Sequence, residues 1–326
     1  MVVKNIFWNS DEDRLRAGWR IISQLILVAA LTNLFSFLDK LMIEYLPSNP
    51  SIPRFSFFHP LELFMAIFLS MFITGKYLDK RSFFNFGFIL DKKWFSDFSA
   101  GIFLGIILMS AIFIVEYFAG WIIITDQFFS YKGEYGFAYG MLSGGFMFLF
   151  VGFYEEMQVR GYLFKNLSEG FNFKNNPKIG ILSALLISSL IFGFGHASNP
   201  NAILISSVSI SLAGILLAAG YLITGRLAFP IGLHISWNFF QGYIFGFPVS
   251  GNSSAASVLV IQQSGPEIWT GGAFGPEAGL VGIISYFAGI GLIYIWVKFK
   301  DSNVTLAYEI AEYKKMDLNE TINIAE

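Results

Sequence analysis

The stretch Val151-Gly-Phe-Tyr-Glu155-Glu156-Met-Gln-Val-Arg160-Gly-Tyr-Leu-Phe164 places three ionisable groups in the second half of an otherwise apolar segment. This segment begins at Phe137, and it contains no charged residue before Glu155. Each ionised group near the middle of a membrane helix costs roughly 2.5–3.5 kcal/mol on insertion scales. Such groups mark a functional site by default, so the rest of the chain is expected to supply their partners.

The composition of the whole chain is typical of a membrane protein. Of its 326 residues, 55% are hydrophobic, 18% are aromatic and only 13% are charged, which is about half the charged fraction of an average soluble domain. The net charge of −2 and the lack of a basic block give no indication of nucleic-acid binding. The absence of cysteine excludes disulfides and thiol catalysis. Because residues 1–20 are polar, no cleavable signal peptide is expected.

The distribution of apolar residues predicts an all-α fold, a polytopic membrane helix bundle. About 20 apolar residues cross the ~30 Å hydrocarbon core, and by this rule the chain contains about eight transmembrane helices. They are predicted at residues 17–38, 61–77, 98–124, 137–164, 179–196, 202–223, 227–247 and 280–297. The domain organisation that follows is a transmembrane domain, residues 1–300, and a polar cytoplasmic tail, residues 301–326.

Basic residues indicate the orientation of this bundle. Most of the 21 lysines and arginines fall in the N-terminal segment, in alternate loops and in the tail, whereas the opposite loops contain only Lys40, Arg54 and Lys132. Since basic loops remain in the cytoplasm, both termini are expected there. The low-cysteine composition, rich in Phe, Ile and Asn, favours a bacterial inner (cytoplasmic) membrane. The Gly- and Ser-rich loop of residues 248–279 is expected over the external face, as a lid or a plain linker.

Helical spacing separates the three charged groups of the opening stretch. Residues four apart share a helix face, so Glu156 and Arg160 are predicted to form an ion pair that lowers the cost of burying both. An ion pair that simply joins helices is the expected role for these two residues. Glu155 points away from them, and its carboxylate needs a partner from another helix.

Two of the three histidines lie in predicted spans and could supply that partner. His196 ends the fifth span, and His234 shares a face of the seventh span with Asn238. His59, at the mouth of the second span, is expected to have no chemical role. A single membrane histidine is usually a packing residue, but here an unpartnered carboxylate accompanies two of them. Glu155, His196, His234 and Asn238 are therefore predicted to converge.

Small residues precede both histidines, and two interpretations of them are open. Gly193 and Gly195 precede His196, and Gly232 precedes His234. They could allow close helix approach around a site, or they could be ordinary membrane packing.

The predicted set of side chains fits two hydrolytic mechanisms. A carboxylate can act as general base toward water, while imidazole and carboxamide groups stabilise the oxyanion of an acyl centre. The same Glu155, His196 and His234 match the two-His-one-Glu ligand set of a catalytic zinc with one open position. The sequence does not separate the two mechanisms.

The patterns Glu155-Glu156-x-x-x-Arg160, Phe192-x-x-x-His196 and His234-x-x-x-Asn238 resemble, in this order, three motifs of a known family. These are the CPBP (CAAX-processing and bacteriocin-processing, or Abi) intramembrane proteases, and the resemblance covers about residues 99–247. It implies an eight-helix endopeptidase that acts on a membrane-associated or precursor peptide. Glu155 with His196 would activate water, His234 and Asn238 would stabilise the oxyanion, and Glu156 and Arg160 would be structural.

The resemblance leaves the cofactor and the substrate open. The family is widely labelled metalloprotease, which implies a possible zinc on Glu155, His196 and His234, but a metal-free glutamate mechanism is also argued for its prenyl-protein branch. The implied partners are a peptide or protein substrate and the lipid bilayer, with no nucleic acid. A peptide precursor, pheromone or bacteriocin leader is favoured over a prenylated protein.

Two other functions compete with the protease hypothesis. Members of the family are implied to serve as non-catalytic scaffolds or bacteriocin-immunity proteins, although the intact motif positions count against this here. Buried Glu, His and Arg also form the proton relays of transporters and channels, but no inverted repeat supports a transporter.

The predicted spans place the site residues at inconsistent depths. Glu155 precedes Lys165 by ten residues, roughly 15 Å of helix, whereas His196 follows Lys178 by eighteen, roughly 27 Å. If both lysines mark the membrane surface, then one of the two helices must extend beyond the bilayer, tilt or continue past its predicted end.

Overall fold

The computed structural model describes residues 6–45, 55–130, 136–301 and 303–314. Long helices form a bundle, and two short antiparallel sheets join strands β1 to β2 and β3 to β4. The strands are β1 Trp8–Asn9, β2 Arg14–Leu15, β3 Ile122–Ser130 and β4 Ala256–Gln263. The helices are α1 Ala17–Tyr45, α2 Phe55–Thr74, α3 Lys92–Phe118, α4 Gly136–Glu156, α5 Lys165–Gly170, α6 Pro177–Gly195, α7 Leu204–Thr224, α8 Ala228–Phe239, α9 Glu267–Thr270 and α10 Leu280–Lys300.

Seven helical stretches of the described residues are long and apolar enough to cross a membrane. They correspond to the predicted spans other than the seventh, so the predicted polytopic helical bundle is confirmed. The seventh span is represented by α8, which has 12 residues and continues as a π-helix over the 5 residues Phe240–Ile244. Every residue of α8 from Ala228 to His234 is buried, so this short helix forms the centre of the bundle.

The fourth span is longer than predicted. It does not end at Phe164, because a π-helix over Met157–Phe164 joins α4 to α5 without a break. The whole stretch Gly136–Gly170 is 35 residues long. Lys165 is buried inside it, where its Nζ donates to the backbone oxygens of Glu309 and Ile310 at 3.3 and 3.4 Å. Lys165 therefore does not mark the membrane surface.

Two further boundaries differ from the predictions. Helix α3 ends at Phe118, and residues from Ile122 onward pair with β4 instead of extending the third span. Strand pairing was not predicted, because the partner strands are separated by more than 120 residues of sequence. Helix α1 continues to Tyr45 and α2 already begins at Phe55, so the predicted first loop is shorter; residues 46–54 lie outside the described part of the chain.

Close contact between α3 and α8 holds the centre of the bundle together. A Cβ atom at Gly101 would lie 2.9 Å from Leu233 N, and one at Gly232 would lie 3.0 Å from Ile102 N. Those separations are too short for a side chain, so the two backbones approach as closely as glycine allows. This contact fixes the position of α8 and therefore of His234.

One end of the bundle carries a buried ionic cluster, and we name it the basic end. The Glu169 carboxylate, only 2% exposed, lies 2.9 Å from Arg14 Nη2, 3.1 Å from Arg20 Nη2 and 2.5 Å from Arg81 Nη2. Asp79 accepts a hydrogen bond from the Tyr162 hydroxyl at 2.8 Å and pairs with Arg20 at 3.4 Å. This cluster ties β2, α1, α5 and the segment after α2 to one another.

The opposite end of the bundle contains the β3–β4 sheet and the loop that includes β4. Glu116, near the end of α3, is buried and accepts a hydrogen bond from Gln263 Nε2 at 2.7 Å. Asn199, just after α6, donates from Nδ2 to the Ser250 backbone oxygen at 3.0 Å. The predicted external loop is thus an ordered cover that is bonded to several helices.

Candidate functional site

The His234 imidazole lies between the two adjacent carboxylates of the opening stretch. Its Nδ1 lies 2.8 Å from Glu156 Oε1, and its Nε2 lies 3.8 Å from Glu155 Oε2. His234 is 6% exposed and Glu156 is completely buried. Glu155, whose side chain is 22% exposed, does receive its partner from another helix, as expected from the helical spacing.

Arg160 completes the environment of Glu156. Its Nη1 donates to Glu156 Oε1 at 3.0 Å, and its Nη2 donates to the backbone oxygen of Gly214 on α7 at 3.0 Å. The guanidinium also lies over the Phe192 ring, 4.4 Å from its centroid. The ion pair predicted from the i,i+4 spacing is present, and it connects α4, α6 and α7. Arg160 also holds in place the Glu156 carboxylate that binds His234. The sequence did not predict this contact between Glu156 and His234.

His196 is oriented by its own helix. Its Nδ1 lies 2.8 Å from the backbone oxygen of Phe192 at the end of α6. A carbonyl oxygen only accepts hydrogen bonds, so Nδ1 carries the proton and Nε2 carries a lone pair in the neutral ring. The Glu156 carboxylate likewise accepts a hydrogen bond from His234 Nδ1, so Nε2 is the nitrogen of His234 that faces Glu155. Both imidazoles therefore keep Nε2 available.

A cavity of about 610 Å³ brings the four predicted site residues together, because Glu155, His196, His234 and Asn238 all line it. Helices α4, α6, α7 and α8 form most of its wall, and residues 249–255 cover it. His59 does not line this cavity; its side chain is 63% exposed beside Glu62. Each of the four residues was identified from its motif, but the cavity that they share forms only when their helices pack together.

The residues proposed as zinc ligands share a cavity without forming a metal-binding group. In the described ranges of the chain, no three His, Cys, Asp or Glu side chains come together in a group that could hold a metal ion. Metal-binding histidines generally donate their second ring nitrogen to a carboxylate or a carbonyl, and both imidazoles satisfy that condition here. The ring orientations thus fit a metal, but the spacing of Glu155, His196 and His234 does not.

Glu277 also lines the cavity, and sequence reasoning missed it. It lies just before α10, is 3% exposed, and accepts hydrogen bonds from Gln241 Nε2, from the Ser250 amide and, at 2.9 Å, from Ser250 Oγ. The Glu277 backbone oxygen accepts from Tyr286 Oη at 2.8 Å. Its only sequence signal is an acidic residue in an otherwise Gly-rich segment before a span, which is too common a pattern to mark a site.

We predict that Glu277 makes stability depend on pH. Burial raises the pKa of the Glu277 carboxyl from 4.5 to about 7. Because the pKa is higher in the folded protein than in the unfolded chain, the protonated Glu277 carboxyl stabilises the fold. This contribution to the free energy of unfolding is complete below about pH 4.5 and is lost as the pH rises to about 7. The thermal unfolding temperature in detergent is therefore expected to be lower at pH 8 than at pH 5.5, by an amount equivalent to about 2 kcal/mol.

The variants Glu277→Gln and Glu267→Gln isolate this contribution. Glutamine imitates the protonated carboxyl, so Glu277→Gln is expected to flatten the pH dependence, whereas Glu267 is exposed and its replacement should leave the dependence as in the wild type. Identical pH profiles for the wild type and Glu277→Gln would contradict the assignment.

The glycines before His196 have unequal roles, and this gives another prediction. A Cβ at Gly193 would overlap Ser207 O and Ser211 Oγ on α7, whereas one at Gly195 would have no atom within 4 Å. We expect Gly193→Ala to push α6 away from α7 and to lower the unfolding free energy by about 1–3 kcal/mol. Gly195→Ala, on the same helix, is the matched control and should change nothing. Equal unfolding temperatures for the two variants would show that α6 does not depend on this contact.

The extended fourth helix reduces the difference in depth between the site residues. Counted to Gly170 instead of Lys165, Glu155 lies fifteen residues from the end of the helix, roughly 22 Å. His196 follows the start of α6 at Pro177 by nineteen residues, roughly 28 Å. The two residues meet at the same cavity because the stretch after Phe164 continues as helix at the basic end.

Comparison with known families agrees with the motif pattern. Residues 137–240 match the family described as Rce1-like, type II CAAX prenyl endopeptidase. The matched segment carries all three motifs. Searches of curated proteins and of solved structures give no match to the chain.

The family match covers the four helices that form most of the cavity wall, α4, α6, α7 and α8. It indicates a protease of the CAAX type that acts on peptide or protein substrates in a lipid bilayer. Together with the seven apolar helices, it supports a multi-pass membrane protein. The β3–β4 sheet and Glu277 lie outside the matched segment.

Proposed function

We propose that the protein hydrolyses a peptide bond in a membrane-associated or precursor peptide, with Glu155 as the general base that activates water. The supporting observation is the position of Glu155 Oε2, which lies 3.8 Å from His234 Nε2 and is buried without a hydrogen-bond partner among the described residues. A buried carboxylate oxygen that accepts no hydrogen bond is costly, even with an imidazole 3.8 Å away. It is explained if a water or a substrate group occupies that position during catalysis.

In the proposed reaction, Glu155 removes a proton from water while the water oxygen attacks the peptide carbonyl carbon. His196 helps to hold this water, because its Nε2 lone pair can accept a hydrogen bond from it. That lone pair is free because the ring proton is on Nδ1, which donates to the Phe192 backbone oxygen. The tetrahedral intermediate then collapses, the C–N bond breaks, and the leaving amine takes the proton held by Glu155. The hydroxyl group of the water is thus in the new carboxyl group, and its remaining proton is on the new amine.

His234 and Asn238 stabilise the oxyanion in this proposal. The Glu156 carboxylate favours a positive charge on the imidazole that it contacts, so that Nε2–H can donate toward the cavity. Asn238 follows His234 by one helical turn and lines the same cavity. Glu156 acts as a positioning residue, because it holds the orientation of His234, and Arg160 keeps Glu156 in place.

We expect this chemistry to proceed without a resident metal, since Glu155, His196 and His234 do not form a metal-binding group in the described residues. Mass spectrometry of detergent-purified wild type should find no stoichiometric zinc, and chelator treatment should leave the cleavage rate unchanged. Stoichiometric zinc that is lost in both Glu155→Ala and His234→Ala would contradict this expectation and would establish a metal-activated water.

The function is tested by incubating the reconstituted protein with a mixed peptide library and identifying the products by mass spectrometry. Wild type is expected to produce new termini at defined sites, and His234→Ala is expected to produce none above background. Equal cleavage by both proteins would contradict the assignment of the site. No cleavage by either protein would favour the alternative of a non-catalytic scaffold or immunity protein.

A further inference from the structure

The cavity opens away from the basic end of the bundle. On α4, the residues that line it run from Gly136, at the start of the helix, to Glu155. The buried cations Arg160 and Lys165 lie beyond Glu155, toward the basic end. The cavity therefore follows the half of this long helix that carries no positive charge.

Two other helices give the same direction. On α6, the lining residues Phe192 and His196 lie at the C-terminal end, while the exposed Lys178 lies at the N-terminal end. On α8, the lining begins at Leu233, whereas Arg226 lies two residues before the helix begins and pairs with Asp91 at 3.2 Å. Each helix thus has its cations at one end and its cavity residues toward the other.

The exposed residues among those that line the cavity are Gly136, Asn252, Ser253 and Ala255, and all four lie at this second end, so the mouth of the cavity is there. Ser130, Asn199 and residues 249–255, which we name the roof segment, lie at this mouth, and all of them except Gly251 line the cavity. The roof segment is held by the hydrogen bond from Asn199 to Ser250 and by those between Ser250 and Glu277. The sequence between Arg226 and Lys298, which includes this segment, contains no lysine or arginine.

Because basic ends of membrane bundles remain in the cytoplasm, the mouth is on the other side. We infer that the cavity is loaded from the extracytoplasmic face, with a neutral or cationic segment of a peptide presented there. This inference rests on the proposed function for its substrate, but the direction of the opening is independent of catalysis.

The acidic side chains that line the cavity favour a neutral or cationic substrate over an anionic one. Glu155 and Glu277 are acidic, and the described residues that line the cavity include no lysine or arginine. Aromatic side chains, among them Tyr154, Trp237 and Tyr243, supply much of the remaining wall. The described lining offers a peptide carboxylate no lysine or arginine, and the His234 ring is already paired with Glu155 and Glu156, whereas a basic or apolar side chain would be accepted.

The direction can be measured by labelling single cysteines, since the chain contains no native cysteine. The variants are Ser253→Cys on the exposed roof segment, Ser143→Cys on the buried wall and Lys92→Cys on the exposed basic end. A membrane-impermeant, charged maleimide added to intact cells is expected to label the first two, and to label Lys92→Cys only after permeabilisation. The reverse pattern would overturn the inference.

The charge preference needs a second measurement, with right-side-out vesicles and two peptides that differ only in a Lys-to-Glu exchange beside the cleaved bond. The lysine peptide is expected to be cleaved at least about tenfold faster. Equal rates, or faster cleavage of the glutamate peptide, would overturn the substrate assignment. If no peptide is cleaved, the proposed function fails, but the labelling result on Ser253→Cys and Lys92→Cys still decides the direction of the opening.

Discussion

Glu155→Gln is expected to lower the rate of peptide cleavage by about 100- to 10,000-fold, because a positioned general base contributes this much to hydrolysis. Glutamine has nearly the same shape and cannot remove a proton from water. The protein should still insert and fold, because Glu155 is half-buried at a cavity and has no hydrogen-bond partner that the change would remove from Oε2. Cleavage of an identified peptide in proteoliposomes is the measurement.

Glu116→Gln is the matched control for this substitution. Glu116 is also a buried glutamate in a membrane helix, but it binds Gln263 and does not line the cavity. Its replacement is expected to leave the cleavage rate within about twofold of the wild type, because glutamine can keep the hydrogen bond from Gln263 and the residue lies outside the cavity. If Glu116→Gln lost as much activity as Glu155→Gln, the loss would reflect general disturbance of the bundle. If Glu155→Gln retained wild-type activity, the proposed mechanism would be wrong.

Glu169→Gln is expected to cause the largest loss of stability. Its carboxylate contacts three buried arginines, Arg14, Arg20 and Arg81, at 2.9, 3.1 and 2.5 Å. Removing the negative charge leaves three like charges together in a site from which water is excluded. Breaking a buried ion pair on one side costs about 3–5 kcal/mol, so a marked decrease of the thermal unfolding temperature in detergent is expected.

Glu12→Gln provides the comparison, because Glu12 pairs with the same Arg14 at 2.8 Å but its side chain is 30% exposed. A partly exposed pair contributes about 0–1 kcal/mol, so this variant should unfold close to the wild-type temperature. Equal effects of the two substitutions would show that the arginines at the basic end find other partners or water. Well below its unfolding temperature, Glu169→Gln should cleave peptide at the wild-type rate, because the cluster does not line the cavity.

The catalytic proposal and the stability prediction concern two positions on one long helix, Glu155 near its middle and Glu169 at its end. Glu155 and Glu169 belong to the same 35-residue stretch, yet one faces a cavity and the other is surrounded by guanidinium groups. The π-helical turns over Met157–Phe164 lie between them, and such turns are frequent at functional sites. The basic end therefore anchors the helix whose other half lines the cavity.

The membrane character, the approximate helices and the motif residues could be predicted from the sequence. Each of these depends on local information: the length of an apolar run, or two side chains one helical turn apart. The Glu156–Arg160 ion pair is the clearest example, since the i,i+4 spacing alone predicts the contact found at 3.0 Å. The need of Glu155 for a partner from another helix followed from the same geometry.

Only the tertiary structure decided how these local elements meet. Glu277 enters the cavity wall from a loop more than a hundred residues after Glu155, and β3 pairs with β4 across a similar separation. The direction of the opening also became visible only when the ends of α4, α6 and α8 were placed together. Helical periodicity assigns a side chain to a face of its own helix, but contacts between distant segments depend on the packing of the whole bundle.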